Sequence, residues 1–273
     1  MKVLTLNTHS WLEDNQEEKL NVIVARILKA DYDIIALQEV NQLSENDVID
    51  APNNLCPLLD QTPIKEGNFA YEIVEKLRAL GITYYWSFAM SHIGYDIYDE
   101  GSALLSKAPI DPYAVFVSIE ESPDDYKSRK ILFGKTNLGE NEMLAVSCHY
   151  SWWMTFAEGF SYEWNNTINA LSHYELPKLL MGDFNNPEGT EGYAYVLKSD
   201  ANIQDTYTVA KKRTGSHTIE KNIAGWEDND GKLRIDFIFS TPEFKVLHHG
   251  TVFDGRTEAI VSDHFGVEAE IEL

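Results

Sequence analysis

Residues 178–187 read KLLMGDFNNP: an apolar run, a glycine, then Asp183 and Asn185. A short apolar run of this kind fits a strand covered on both faces, and the polar residues come where the strand stops. The arrangement recurs along the chain. Val3-Leu4-Thr5-Leu6 leads to Asn7, Ile34-Ile35-Ala36-Leu37-Gln38 leads to Glu39, and Leu233-Arg234-Ile235 leads to Asp236. Strand ends hold side chains rigidly while leaving them in a crevice. Taken singly, each such end is an ordinary turn, because Asp and Asn commonly open turns. Their repetition predicts one polar site gathered from distant stretches.

Working outward, strands and helices alternate. Strands are expected at residues 2–6 and 33–37, and helices at 17–28 and 69–80, the second stopped by Gly81. Strands at 83–88, 102–106, 114–118, 131–136 and 142–147 follow, then a helix at 164–174 and the strand at 178–181. The end is strand-rich again, at 233–239, 246–253 and 265–271. This mixture of βαβ and hairpin segments predicts a single α/β domain over residues 1–273, built as a four-layer α/β sandwich of two packed mixed β-sheets flanked by helices. The stretches 41–68, 151–163 and 207–231 lack periodicity and are read as long functional loops.

Charge narrows the function. The chain carries 22 Lys+Arg against 44 Asp+Glu, a formal net charge of −22, whereas nucleic-acid binders present a basic face to phosphates. The balance weighs against nucleic acid and is harmless to a small phosphorylated molecule. No apolar run approaches the ~20 residues that span a bilayer. The start, MKVLTLN, has no long apolar segment, and two cysteines make no disulfide framework. A cytoplasmic protein without membrane attachment is expected, its oligomeric state left open.

The ordered set LNTHSW, LQEV, DEGSALLSK, SCHY, GDFNNP, RIDFIFS and SDHFG, spread from about residue 3 to residue 267, resembles the endonuclease/exonuclease/phosphatase (DNase I-like) superfamily. That resemblance implies metal-dependent phosphoester hydrolysis with Mg²⁺, or Mn²⁺, as cofactor. Such an ion takes hard oxygen ligands, for which Glu39 is the first candidate, with Asn7 beside it and Asp263 assisting. The resemblance assigns orientation of the nucleophilic water to Asp183, and Asn185 as donor to a phosphoryl oxygen. It pairs Glu100 with His149 for phosphate binding and leaving-group protonation, and Asp236 with His264 for phosphate stabilisation or base work. His9, His92, His173, His217, His248 and His249 receive no role, and the pair His248-His249 is read as surface. Arg129 is balanced between holding phosphate and a surface ion pair, with the surface preferred.

The segments SHIGYDIYDEG, SWW and GWEDNDGKLRIDFIF, taken with TLNTHSW and GDFNNPEGTEGY, resemble the bacterial branch that includes the maltose 6'-phosphate phosphatases. The implied substrate is a phosphorylated disaccharide, with Trp152, Trp153, Trp226 and Arg234 as candidate substrate-binding residues, since aromatic faces stack on sugar rings. Two other readings stand beside it: a metal-dependent nuclease with a groove built from scattered basic residues, and a non-catalytic binding or regulatory module.

Overall fold

Alternation of side chains along the apolar strands separates three cores. In strand β1 (Lys2–Asn7), Val3 faces one core while Leu4 and Leu6 face another; in β2 (Ile34–Leu43), Ile34 and Ala36 join the first and Ile35 and Leu37 the second. Strand β8 (Lys178–Asp183) does the same, with Leu179 and Met181 in the first core and Leu180 in a third. Both faces of these strands are therefore covered, as their near-continuous hydrophobicity requires.

The computed structural model describes residues 1–153, 159–223, 225–256 and 258–273. Besides a 3-10 turn at Ser10–Leu12, the other described elements are α1 (Gln16–Ala30), α2 (Phe69–Ala79), β3 (Tyr85–Gly94), β4 (Tyr98–Ser106), β5 (Ile110–Phe116), β6 (Lys130–Leu138), β7 (Asn141–His149), α3 (Phe160–Leu171), α4 (Glu191–Lys198), β9 (Gln204–Asp205), α5 (Thr206–Val209), β10 (Lys212–Thr214), β11 (Asp236–Ser240), β12 (Lys245–Val252) and β13 (Gly266–Glu272). Among the described residues they form a seven-stranded mixed sheet, β10-β12-β13-β1-β2-β4-β3, and a six-stranded mixed sheet, β5-β6-β7-β8-β11-β9. The first core lies between the sheets. The second lies under α1 and α2, through Leu20, Ile23, Ile27, Ile73 and Leu77, and the third under α3 and α4, through Trp164, Leu171 and Val196. This is the expected four-layer sandwich, of the DNase I-like kind.

Several boundaries differ from the sequence reading. The helix expected at 164–174 starts at Phe160, and β11 starts at Asp236 rather than at 233, so Arg234 precedes the strand. The stretch 207–231 is not all loop: it contains most of α5 and all of β10, and Ile219 forms a bridge with Leu233. Helix α4 was not foreseen. Residues 154–158, within the expected loop 151–163, lie outside the described residues, as does Ala224.

Two irregularities aim side chains. The pairing of β2 with β4 shifts between Leu37 and Val40, and Glu39 inside that bulge has φ of 51°, a left-handed conformation a glutamate adopts only when its surroundings hold it there. The pairing of β3 with β4 shifts between Met90 and His92, which sets His92 opposite Glu100. Where β8 meets β7, Gly182 has φ of 151°, and a Cβ there would stand 1.9 Å from the Cys148 carbonyl oxygen, so only glycine lets the strands close just before Asp183. Among the described residues, no helix is long and apolar enough to cross a membrane.

Candidate active site

The parallel pair β1–β2 in one sheet and the parallel pair β7–β8 in the other point their C-terminal ends at the same place. Buried polar contacts lock the two ends together. Gln38 donates from Nε2 to Ser147 Oγ at 2.9 Å, Ser147 donates to the Leu37 carbonyl at 3.2 Å, and Thr5 donates to Gln38 Oε1 at 3.2 Å. Just beyond this tie, Asn7 donates from Nδ2 to Glu39 Oε1 at 2.7 Å and to Asp183 Oδ2 at 3.2 Å. One amide thus bridges the carboxylates of both sheets.

Register completes the second half. Asp183 is the strand partner of His149 on one side and of Asp236 on the other. His264 reaches Asp236 with Nδ1 at 2.9 Å from Oδ2, and its Nε2 lies 3.8 Å from Asp183 Oδ2. The His149 Nε2 is also 3.8 Å from Asp183 Oδ2 and 3.8 Å from Glu39 Oε1, so two imidazoles flank one carboxylate. The Asn185 backbone N–H donates to Asp183 Oδ1 at 2.8 Å, and Ser262, which donates to the Asn7 carbonyl at 2.8 Å, anchors the turn that carries Asp263 and His264. A cavity of about 270 Å³ is lined by Glu39, His149, Asp183, Asn185, Asp263 and His264, together with His9, His92, Tyr95, Glu100, Tyr126, Arg129 and Trp152.

Crowded carboxylates shift one another. Burial, then the charges of Glu100 and Asp263, push Glu39 up to about 8, and burial with the neighbouring Asp236 pushes Asp183 up to about 7. The histidines diverge. Burial would lower His264, yet Asp236 and Asp183 hold it well above the ordinary histidine value; burial lowers His149 well below that value, helped by the positive charges of Arg129, His92 and His264. The two imidazoles are therefore pushed in opposite directions, His264 toward holding a proton and His149 toward losing it.

The cavity gathers most of the expected residues, with corrections. Glu100 does not hold His149: its Oε1 is 3.4 Å from His92 Nε2, and His149 faces Glu39 and Asp183 instead. His92 and His9, given no role, both line the cavity; His9 meets Glu13 at 2.7 Å and Asp263 at 3.9 Å. The Glu13 bond and the Asp263 and Glu39 charges outweigh burial and lift His9 to about 9. The helix-like i, i+4 spacing of His9 and Glu13 was the available signal. His249 is 1 % exposed, not surface, because it packs against Tyr207 and meets Thr206 Oγ1 at 2.9 Å.

Arg129 and Arg234 exchange places. Arg234 does not line the cavity; it is buried against Asp205, with bonds of 3.1 and 2.7 Å, and against Glu188, so substrate cannot claim it. Arg129 is buried at the cavity, gives Nη1 to the Tyr126 carbonyl at 2.7 Å, leaves Nε without a partner, and, unlike Arg26 and Arg234, forms no ion pair among the described residues. Trp152 lines the cavity, whereas Trp153 turns away to Phe160 and Tyr195 with its Nε1 on Glu191 at 3.1 Å. Trp226 is absent from the lining; its Nε1 donates to Asn185 Oδ1 at 3.0 Å.

Among the described residues, two groups could hold a cation: the buried set Asp183, Asp236 and His264, and the half-buried set His9, Glu13 and Asp263. Of the expected ligands, Glu39 and Asp263 line the cavity, while Asn7 turns its nitrogen, not its oxygen, toward Glu39. Carboxylates that raise each other's protonation in this way suit a hard divalent cation, which relieves their repulsion.

A sequence model of the Endonuclease/Exonuclease/phosphatase family matches residues 13–264. Among solved structures, an endonuclease/exonuclease/phosphatase family protein from Leptotrichia buccalis C-1013-b is 33% identical, with a TM-score of 0.87 and 100% of each chain covered. A mannosyl-6-phosphatase from Bacteroides thetaiotaomicron VPI-5482 shares the fold at 16% identity and a TM-score of 0.68, again with 100% of both chains covered. TDP2 of D. rerio, complexed with a single-strand DNA product, does so at 13% identity and a TM-score of 0.65, covering 100% of this chain and 99% of its own. No curated protein matches.

Proposed function

The chain belongs to the endonuclease/exonuclease/phosphatase family, and on that premise we propose that it is a divalent-metal-dependent phosphomonoesterase acting on a small phosphorylated sugar, maltose 6'-phosphate being the leading candidate. The observation that carries this reading is Arg129, a buried guanidinium that makes no ion pair among the described residues, buried Glu163 acting on it only through its charge, in the cavity that also holds Asp183, Asn185 and His264. A buried guanidinium whose hydrogen-bonding edge is not filled by a carboxylate among the described residues gains from an anion placed beside it. A compact phosphomonoester can be that anion. Tyr95, Tyr126 and Trp152 on the same cavity offer rings to a sugar. The Bacteroides neighbour is by name a phosphatase of a mannosyl 6-phosphate, which agrees with the reading.

In the proposed reaction, Asp183 orients the attacking water and accepts its proton as the water oxygen bonds to phosphorus and the phosphorus–oxygen bond to the sugar breaks. The departing sugar oxygen takes a proton from solvent and leaves as a hydroxyl. Asn185, Arg129 and charged His264 donate to phosphoryl oxygens, and Asp236 keeps His264 charged and correctly turned. Neutral His149 serves as a hydrogen-bond partner beside them. A Mg²⁺ or Mn²⁺ ion held by Glu39 and Asp263 would supply the remaining positive charge. The free thiols of Cys56 and Cys148 accord with a cytoplasmic, reducing setting.

A phosphate-release screen of sugar phosphates, nucleotides, inositol phosphates and DNA, with Mg²⁺ or Mn²⁺ and with EDTA, tests the proposal. Sugar phosphates should be turned over fastest and EDTA should stop the reaction, and Glu39→Gln should raise the metal concentration required. Faster cleavage of DNA would replace the reading with a nuclease, and no release from any ester would leave a binding module.

A further inference from the structure

We propose that Trp226 is a positioning residue for Asn185, fixing which edge of its amide meets the substrate's phosphoryl group; the inference rests on the reading of Asn185 as a phosphoryl donor. An indole N–H can only donate, so the atom facing Trp226 Nε1 at 3.0 Å must be the amide oxygen of Asn185. On the other edge, Asn185 Nδ2 donates to the Tyr150 carbonyl at 2.9 Å. Turning the amide over would set oxygen against the Tyr150 carbonyl and nitrogen against the indole N–H, opposing like groups at both ends. The backbone is held too, with φ of 49° and its N–H on Asp183. Among the described residues, one amide hydrogen therefore has no partner on a residue that lines the cavity, and it belongs to a donor. That is the polarity an anionic oxygen requires.

Trp226 is itself braced. Its N–H donates to the Ile223 carbonyl at 2.9 Å, its carbonyl accepts from Asn229 at 3.0 Å, and the preceding Gly225 donates to Glu227 Oε1 at 3.0 Å. Gly225, at φ of 80°, lies so close on Trp152 that a Cβ there would stand 2.0 Å from the ring. Two adjacent residues thus support one ring of the cavity wall and one donor of the phosphate site.

Trp226→Phe keeps an aromatic ring and deletes the N–H. Turnover of a generic aryl phosphate should fall about tenfold with KM for sugar phosphates unchanged, the loss expected for one buried hydrogen bond that sets a transition-state donor. The double variant with Asn185→Ala should be no slower than Asn185→Ala alone. The side-chain amide signal of Asn185 in a ¹⁵N-correlated NMR spectrum, identified by its loss in Asn185→Ala, should move in Trp226→Phe. Wild-type turnover in Trp226→Phe, a further loss on the Asn185→Ala background, or a raised KM with unchanged turnover would each overturn the proposal, the last making Trp226 a substrate contact. If the wild-type protein hydrolyses no phosphomonoester, the phosphatase reading fails by itself; an unmoved amide signal in Trp226→Phe then overturns the positioning role separately.

Discussion

Nε2 of His92 lies 3.4 Å from Oε1 of Glu100, and the two are register partners across the β3–β4 hairpin. Glu100 Oε2 and His92 Nδ1 are both buried without a hydrogen-bond partner among the described residues, beside a cavity the two residues line. A pair so enclosed acts as a unit, because removing either leaves the other's polar atoms unsatisfied.

It follows that His92→Ala and Glu100→Gln should each lower kcat/KM for the sugar phosphate by about tenfold or more, and that the double variant should be no worse than the poorer single. Initial rates on the three variants check this. Losses that multiply would show Glu100 working apart from His92, as the pairing with His149 expected from sequence would have it.

Arg129 gives the second prediction. Among the described residues it makes no ion pair, the buried Glu163 acting on it only through its charge, so the guanidinium can still donate to a phosphate, and a hydrogen bond to a charged group is the strong kind. Arg129→Ala should weaken competitive inhibition by inorganic phosphate by about 10- to 100-fold, from the ~1.5–3 kcal/mol such bonds contribute. Arg129→Lys should recover part of it, since a point charge replaces a fork. Unchanged inhibition would remove Arg129 from the phosphate site.

The two adjacent tryptophans should separate function from stability. Trp152→Ala should raise KM for sugar phosphates while sparing an aryl phosphate, because its ring lines the cavity. Trp153→Ala should leave KM alone and lower the melting temperature, because that ring packs on Phe160 and Tyr195 instead. Kinetics and thermal melts on both variants check the pair, and a KM effect confined to Trp153→Ala would invert the assignment.

What could be read from the sequence follows from what local pattern controls. Asn7 and Asp183 are legible because each closes an apolar strand, whereas Glu39, inside β2 at its bulge, and Asp236, which opens β11, are legible only through the apolar residues beside them. The partner of Glu100 was not legible. It depends on the β3–β4 register shift at Met90/His92, where a one-residue slip would turn the other face of the strand toward Glu100, and nothing in SHIGYDIYDEG announces the slip. Arg129 and Arg234 were confused for a similar reason: both precede strands, and only the tertiary position of Asp205, far from Arg234 in sequence, decides which is neutralised. Trp226 was seen as an aromatic near the site, but its role depends on where the N–H points rather than on the ring.

The last prediction concerns acid stability and stands apart from the cavity chemistry. His249 is buried on β12 against Tyr207, and burial, with the positive charges of Arg234, His248 and Arg213, pushes its pKa from 6.5 down to about 3. As pH falls below 6.5 the unfolded chain takes up a proton at this position that the folded chain refuses until about pH 3. The unfolded state therefore binds more protons throughout that window, and stability must fall as pH falls, with a slope of up to about 1.4 kcal/mol per pH unit from this residue. Above the unfolded value the contribution is fully present and pH-independent. His249→Gln keeps a side chain able to bond Thr206 but removes the titration, so its melting temperature should decline less steeply than the wild type's between about pH 6 and pH 4, the two curves running parallel above pH 7. Curves that stay parallel through the acid range would mean that the folded protein accepts the proton on His249, which a ring enclosed by Thr206, Tyr207 and the nearby Arg234 charge should not do.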